Sequence, residues 1–196
     1  MFRPVLVTAP AALPVSVPDV KGALHVDGTD RDAEIERLIK SAVAHYEGWS
    51  GVLGICLVAQ TWRQDFGRFE DKMGLALRPV QDISEIRYRN SAGQMATVAA
   101  ANYALKQDGG GRSYVRFVND FSAPVDLYED APISIEYVAG WPLTEGDDPQ
   151  PTTPADIQTA IILHVQKHFD EAAQTNSDIL ERVEKDLIRK YRTPMI

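Results

Sequence analysis

Ile133-Ser134-Ile135-Glu136-Tyr137-Val138-Ala139-Gly140, followed after a loop by Pro154-Ala155-Asp156-Ile157 and the run Ala160-Ile161-Ile162-Leu163-His164-Val165, changes hydrophobic period from one block to the next. In the first block Ile133, Ile135 and Tyr137 face one way and Ser134, Glu136 and Val138 the other, the two-residue period of a strand. In the second, Ile157, Ala160, Ile161, Ile162, Leu163, Val165 and Phe169 cover most of a helix circumference, as expected for a helix packed on more than one side. The loop between them, residues 140–154, is rich in Pro, Asp and Thr. It ends in a helix-start signal: Thr153 as N-cap, Pro154 at the first helical position and Asp156 three residues after the cap. Strand and helix patterns in separate blocks predict an α+β fold.

Upstream of that stretch lie further strand signals. Ile55–Ala59 is a short apolar run with the length of a buried strand. Ile86 and Tyr88 alternate with Arg87 and Arg89, residues 90–93 read as a turn, a second run follows over 96–103, and Tyr114–Val118 is another strand pattern. About five short strands at hairpin-like spacing predict a compact, mostly antiparallel sheet or small sandwich. Before them, Ile35, Leu38, Ile39, Ala42, Val43 and Tyr46 form one stripe of an amphipathic helix over about 30–47, with Asp30, Asp32 and Glu34 near its positive end and Gly48 and Gly51 closing it. Ser16 is the N-cap expected for a short helix through Leu24, with Pro18 and Asp19 in its first turn.

Downstream, residues 175–178 break the long helix expected over 154–173, and a last helix follows. Ile179, Leu180, Val183, Leu187, Ile188 and Tyr191 form its apolar face, with Glu181 to Lys185 and Asp186 to Lys190 as pairs one turn apart. From Glu181 onward the chain carries five cations, Arg182, Lys185, Arg189, Lys190 and Arg192, against three carboxylates, a net of +2. An ordinary salt-bridged helix and a docking arm with an apolar face and cationic tip both fit that pattern. The organisation expected is an extended, Pro-punctuated arm over 1–15, an α+β domain over 16–174 in which helices pack on the sheet, and a terminal helix over 175–196. Both ends are expected to be free to engage neighbours.

The whole chain of 196 residues carries 28 Asp and Glu against 20 Lys and Arg, a net charge of −8. That balance argues against reading nucleic acid through a broad basic face, which needs clustered cations to neutralise phosphates, though it is compatible with DNA passing nearby. The length is enough for a real core, since chains near 150 residues hide roughly 70% of their unfolded surface. The single cysteine, Cys56, forms no internal disulfide, and its neighbours Ile55, Leu57 and Val58 predict a buried thiol in a reducing compartment. Pro4, Pro10 and Pro14 interrupt any signal-like helix at the start, and no apolar run approaches the ~18 residues of a membrane span, so no membrane partner is expected.

Catalytic motifs are absent from the sequence: no G-x-S-x-G, Walker loop, G-x-G-x-x-G, C-x-x-C or H-E-x-x-H occurs, and no cofactor or catalytic residue is expected. Gly109–Arg112 lacks the Lys-Ser/Thr of a phosphate loop and leads into a strand, so it reads as a flexible hairpin connection. His164 and His168 share a helical face and could reach one metal ion, but no third ligand is visible nearby. Among Ile157, Ile161 and Val165 they read as partly buried, hydrogen-bonded histidines. The rival is a small metal-dependent hydrolase using this pair with an acidic third ligand. The acidic groups Asp126, Glu129, Asp130 and Glu145, Asp147, Asp148 fall in loops and read as solvated, or as the lining of a channel that must not grip DNA.

In order along the chain, several segments resemble the head-tail connector (adaptor) proteins of long-tailed phages, a group also described as possible DNA-packaging proteins. These are Leu24-His25-Val26-Asp27, then Asp32-Ala33-Glu34-Ile35, Leu38-Ile39, Ala42 and Tyr46-Glu47. Next come Leu77-Arg78-Pro79-Val80 with Ile83, Ile86 and Tyr88, then Ile135-Glu136-Tyr137-Val138-Ala139-Gly140, then Pro154-Ala155-Asp156-Ile157 with Ala160-Ile161-Ile162 and His168. The resemblance spans about residues 17–173 and rests on joint order. It departs at His168-Phe169-Asp170-Glu171, where many relatives carry an aromatic-Glu-Asn-Arg end, and it stops before the last helix. The sequence also looks close to adaptors of gene transfer agents, phage-like particles of some alphaproteobacteria.

The resemblance implies a structural subunit of a twelvefold ring between portal and tail. DNA would pass through that ring without sequence recognition. Its partners would be the portal protein, a tail-side neck or tail terminator protein and further copies of itself. Its place would be the bacterial cytoplasm during assembly and then the particle neck, with a monomer expected in isolation. A neck protein of the head- or tail-completion type shares this class. The candidate partner-binding residues are Ile179, Leu180, Val183, Leu187, Ile188, Arg189, Lys190, Tyr191 and Arg192.

Overall fold

A computed structural model describes residues 2–170 and 175–192. The fold is α+β, with four α-helices and two antiparallel sheets among the described residues, and the chain divides into two compact units, residues 1–10 with 59–140 and residues 11–58 with 141–196.

The first unit holds eight strands: β1 (Val5–Thr8), β2 (Gln60–Phe66), β3 (Lys72–Gly74), β4 (Val80–Arg89), β5 (Met95–Thr97), β6 (Tyr103–Gln107), β7 (Ser113–Phe117) and β8 (Ile133–Ala139). One sheet runs β1-β2-β8-β4-β5, the other β3-β7-β6. β8 is central because it is the best two-period strand: Ile133, Ile135, Tyr137 and Ala139 are fully buried, paired to β2 (Ile135 opposite Gln64, Tyr137 opposite Trp62) and to β4 (Ile135 opposite Ile86, Tyr137 opposite Ile83). Buried Gln64 fastens the segment after β3, its amide donating to the Gly74 carbonyl at 3.2 Å and its Oε1 accepting from the Ala76 N–H at 3.0 Å. Phe69, Phe117 and Phe121 form an aromatic group, with Phe117 and Phe121 stacked at 4.6 Å.

Two strand expectations are corrected. Ile55, Cys56, Leu57 and Val58 are buried as expected, yet they form no strand: Ile55 makes an isolated parallel bridge to Glu47, its carbonyl accepting from the Gly48 N–H at 2.8 Å, while the Glu47 carboxylate accepts from the Leu57 N–H at 2.6 Å and Thr153 donates to the Leu57 carbonyl at 2.5 Å. The strand begins only at Gln60. The run 96–103 is split, because a 3₁₀ turn over Ala100–Asn102 separates β5 from β6, and the strands number more than the five expected.

The second unit holds α1 (Val17–Leu24), α2 (Asp32–Tyr46), α3 (Ala155–Phe169) and α4 (Ser177–Ile188). α1 begins at the expected N-cap, Ser16, and Asp19 of its first turn completes a full capping box with it. Gly48, at φ 81°, closes α2, and Gly51 lies so near the Glu47 carbonyl that any Cβ would collide with it. The core joins Val20 of α1, Ile35, Ile39, Ala42 and Tyr46 of α2, Ile157, Ala160, Ile161 and Val165 of α3, and Leu53, Ile55 and Leu57 of the loop after α2, so the helices find apolar partners in one another. Thr153 does not cap α3; Pro154 takes the cap position and the Thr153 hydroxyl serves Leu57 instead. α3 closes at Phe169, and the rest of the helix expected through 173 lies outside the described residues after Asp170.

The terminal helix is not free. α4 packs along α3, burying Ile188 in the core, with Leu187 and Tyr191 against it and Tyr191 edge-on to Trp141 at 6.2 Å. An amphipathic face of that strength has a large free-energy gain from covering α3, at ~25 cal/mol per Å² of apolar surface removed from water. Residues 5–8 of the expected arm are likewise placed, as β1 on β2, whereas Val15 joins the helical core.

Candidate functional site

Two features of the helical unit carry the candidate chemistry. The first is the outer face of α4. Of the residues expected to meet a partner, Ile188 is buried, Leu187 and Tyr191 pack on the core, and Leu180 is half-buried; Ile179, Val183, Arg189, Lys190 and Arg192 are exposed. The expected pair Glu181–Lys185 forms, whereas Lys190 pairs with Asp156 of α3 instead of Asp186. Between α3 and α4, Asp156, Val183, Asp186, Leu187, Arg189 and Lys190 line an open groove of about 660 Å³. The lining combines apolar Val183 and Leu187 with charged Asp156, Asp186, Arg189 and Lys190.

The second feature is a polar cluster inside the helical unit. Glu184 of α4 is only 4% exposed. Its Oε1 accepts from the Tyr46 hydroxyl at the end of α2 and lies 3.2 Å from His164 Nδ1 of α3, and Lys167 Nζ lies 3.6 Å from Oε2. Burial alone raises the Glu184 carboxyl. The hydrogen bonds from His164 and Tyr46, together with the Lys167 ammonium, overcome that and hold it at about 2. The carboxylate is therefore ionised at neutral pH and His164 Nδ1 is the donor. Burial pushes the Tyr46 phenol up, and its bond to Glu184 pushes it further. His45, next to Tyr46, stacks on His164 at 5.2 Å; burial lowers its pKa, and the charges of His164, Lys167 and Arg192 add to that, against Glu184.

The two histidines read from sequence lie side by side on α3, ring centroids 4.7 Å apart, but differ in burial. His164 is partly buried and hydrogen-bonded as expected, whereas His168 is exposed, its Nδ1 2.8 Å from the His164 carbonyl. The side chains that gather around His164 are His45 and Glu184, which lie 119 residues before it and 20 after it in the sequence. A signal for Glu184 was present: Leu180, Glu184 and Ile188 are spaced four apart, which puts a carboxylate on the apolar face of α4. Nothing in the local sequence marks His45.

The other candidates are plain. Asp108 Oδ1 accepts from the N–H groups of Gly110 at 2.9 Å and Arg112 at 2.8 Å, so those loop amides are already paired. Asp126, Glu129, Asp130, Glu145, Asp147 and Asp148 are all exposed. No helix among the described residues is long and apolar enough to cross a membrane.

No protein-family model matches the chain, and no curated protein does. Solved structures do. The chain is similar to a chain in the neck of an empty gene transfer agent (GTA) particle, computed with C6 symmetry, at 21% identity and a TM-score of 0.76, covering 100% of this chain and 97% of that one. It is similar to a chain in the virion of a native gene transfer agent particle at 19% identity and a TM-score of 0.71, covering 100% and 97%. A chain in the neck of a native GTA particle, computed with C12 symmetry, matches at 20% identity and a TM-score of 0.69, covering 98% and 97%. The fold of this chain, over its whole length, is the fold of those chains.

Proposed function

We propose that this chain is a structural subunit of the neck of a phage-like particle, the head-tail adaptor of a gene transfer agent or of a related phage. It assembles as a ring between the portal and the tail-side neck protein, and DNA passes through without being read. The observation that carries this reading is the agreement in fold over both whole chains with a subunit of a particle neck. The ordered motifs over residues 17–173 support the same role independently. Twelve copies fit the C12 symmetry in which one similar chain was computed.

The chain's chemistry suits a subunit that works through contacts. Its net charge of −8 disfavours a grip on phosphates. The exposed residues of α4 and the segment after it, Ile179, Val183, Arg189 and Arg192, offer an apolar and cationic surface to a neighbour, for which the portal is our assignment. The hydrolase alternative as read from sequence paired His164 with His168, whereas the ligand atoms that lie within 4.8 Å of one another are those of His45, His164 and Glu184.

Deleting the gene in a particle-producing strain tests the role. DNA-filled heads lacking tails are the expected product, and particles that join head to tail normally without this chain would refute it.

A further inference from the structure

We propose that His45, His164 and Glu184 form a binding site for one divalent transition-metal ion, zinc by ligand chemistry, which clamps α4 to α2 and α3. Two of the chain's four histidines gather near one buried carboxylate, and one ligand comes from each of three helices. Donor atoms of His45, His164 and Glu184 all lie within 4.8 Å of one another. Two imidazoles and a carboxylate are an established ligand set for zinc, bound at about 2.0–2.2 Å. Drawing them to that distance takes side-chain rotation, and His45 is the exposed member of the three. Water would supply the fourth ligand.

A second observation points the same way. Glu184 Oε2 is buried and has no hydrogen-bond partner; its nearest cation, Lys167, stands off at 3.6 Å. Tyr46 already donates to the carboxylate, the kind of supporting bond that orients a metal-ligating carboxylate. Lys167 is the opposing feature, since a second cation at the same carboxylate is repelled by its ammonium, and it holds the affinity below that of a closed four-ligand site. His168 takes no part, its Nδ1 facing the His164 carbonyl. The role is structural: an ion that binds only the docked arrangement of three helices stabilises that arrangement.

Titration of the full, tag-free chain with cobalt(II) and zinc(II), after chelator treatment and exchange, tests the site. One ion per chain, a visible cobalt absorption of tetrahedral or five-coordinate type, and a raised melting temperature with zinc are expected. His45→Ala, at an exposed position that leaves the core intact, abolishes the cobalt band and weakens binding by at least about tenfold, the floor set by losing even an outer partner of a ligand. His168→Ala changes neither. A wild-type chain that gives no cobalt band, or a His45→Ala chain that binds as wild type does, would overturn the proposal.

Discussion

The Tyr46 hydroxyl donates to Glu184 Oε1 across 138 positions of the chain, and that single bond ties the last helix to the second. Its environment is dry, so its removal is asymmetric. Tyr46→Phe deletes one charge-assisted donor and leaves Glu184 with His164 and Lys167, at a cost of about 1–2 kcal/mol. Glu184→Ala leaves the buried Tyr46 phenol with only the Ala160 carbonyl at 3.5 Å and leaves two basic groups without their anion, at about 3 kcal/mol or more. Urea unfolding of the two variants checks the order; equal costs would mean that the carboxylate does not organise the cluster.

The same cluster sets an acid limb in the stability curve of the metal-free protein. Glu184 has a native pKa of about 2 against 4.5 for the free side chain, so the unfolded chain binds more protons between those values. Its contribution is complete above about pH 4.5 and is lost as pH falls toward 2, on the order of 2–3 kcal/mol in all. His45, lowered from 6.5, acts in the same direction at higher pH: stability falls as pH drops below 6.5, because the unfolded imidazole protonates first. The groups facing it are His164 and Lys167 of α3 and Glu184 of α4, with Arg192 beyond. Denaturation in chelator from pH 7.5 to 3 is expected to show both limbs, with Glu184→Gln flattening the lower and His45→Asn the upper.

How much of this was legible beforehand differs by element. β8 and α2 could be read because a single period governs each: Ile133, Ile135 and Tyr137 alternate, and Ile35, Ile39, Ala42 and Tyr46 recur at helical spacing. The N-cap at Ser16 is local chemistry and was equally plain, although the reciprocal bond to Asp19 was not. The segment at Leu57 was not, because its apolar residues match a buried strand while its hydrogen bonds go to Glu47 and Thr153, the latter 96 residues away. Nor was the fate of α4. Its amphipathic pattern fits a free arm and a docked helix equally, and only the position of Glu184 among Leu180 and Ile188 hinted that its partner lay inside the same chain. The histidine cluster depended on His45, whose distance from His164 no helical spacing can reveal.

If the outer face of α4 is where a neighbour docks, its residues separate binding from stability. Ile179 and Val183 are 58% and 44% exposed, so Ile179→Asp and Val183→Asp should each alter stability by no more than about 0.5 kcal/mol. The double variant is expected to lose most of its binding to portal-bearing heads, measured by co-sedimentation. Full binding would move the docking surface elsewhere. Cutting the chain at Gln174 is a poorer test, because it also strips Leu187, Ile188 and Tyr191 from the helical core.

The acidic loops allow a prediction about passage of DNA. Asp126, Glu129, Asp147 and Asp148 are exposed, so changing each to Lys perturbs the fold little while shifting the net charge of a subunit by +8, from −8 to 0. In a ring the change is repeated in every copy, and if these loops face the channel, cations would replace a surface that repels phosphate. Ejection should then slow in low salt and recover as salt rises, since the new attraction works through counterions at a Debye length of about 10 Å in 0.1 M salt. Ejection by such particles that matches wild type at every salt concentration would place these carboxylates away from the DNA, leaving solubility as their role.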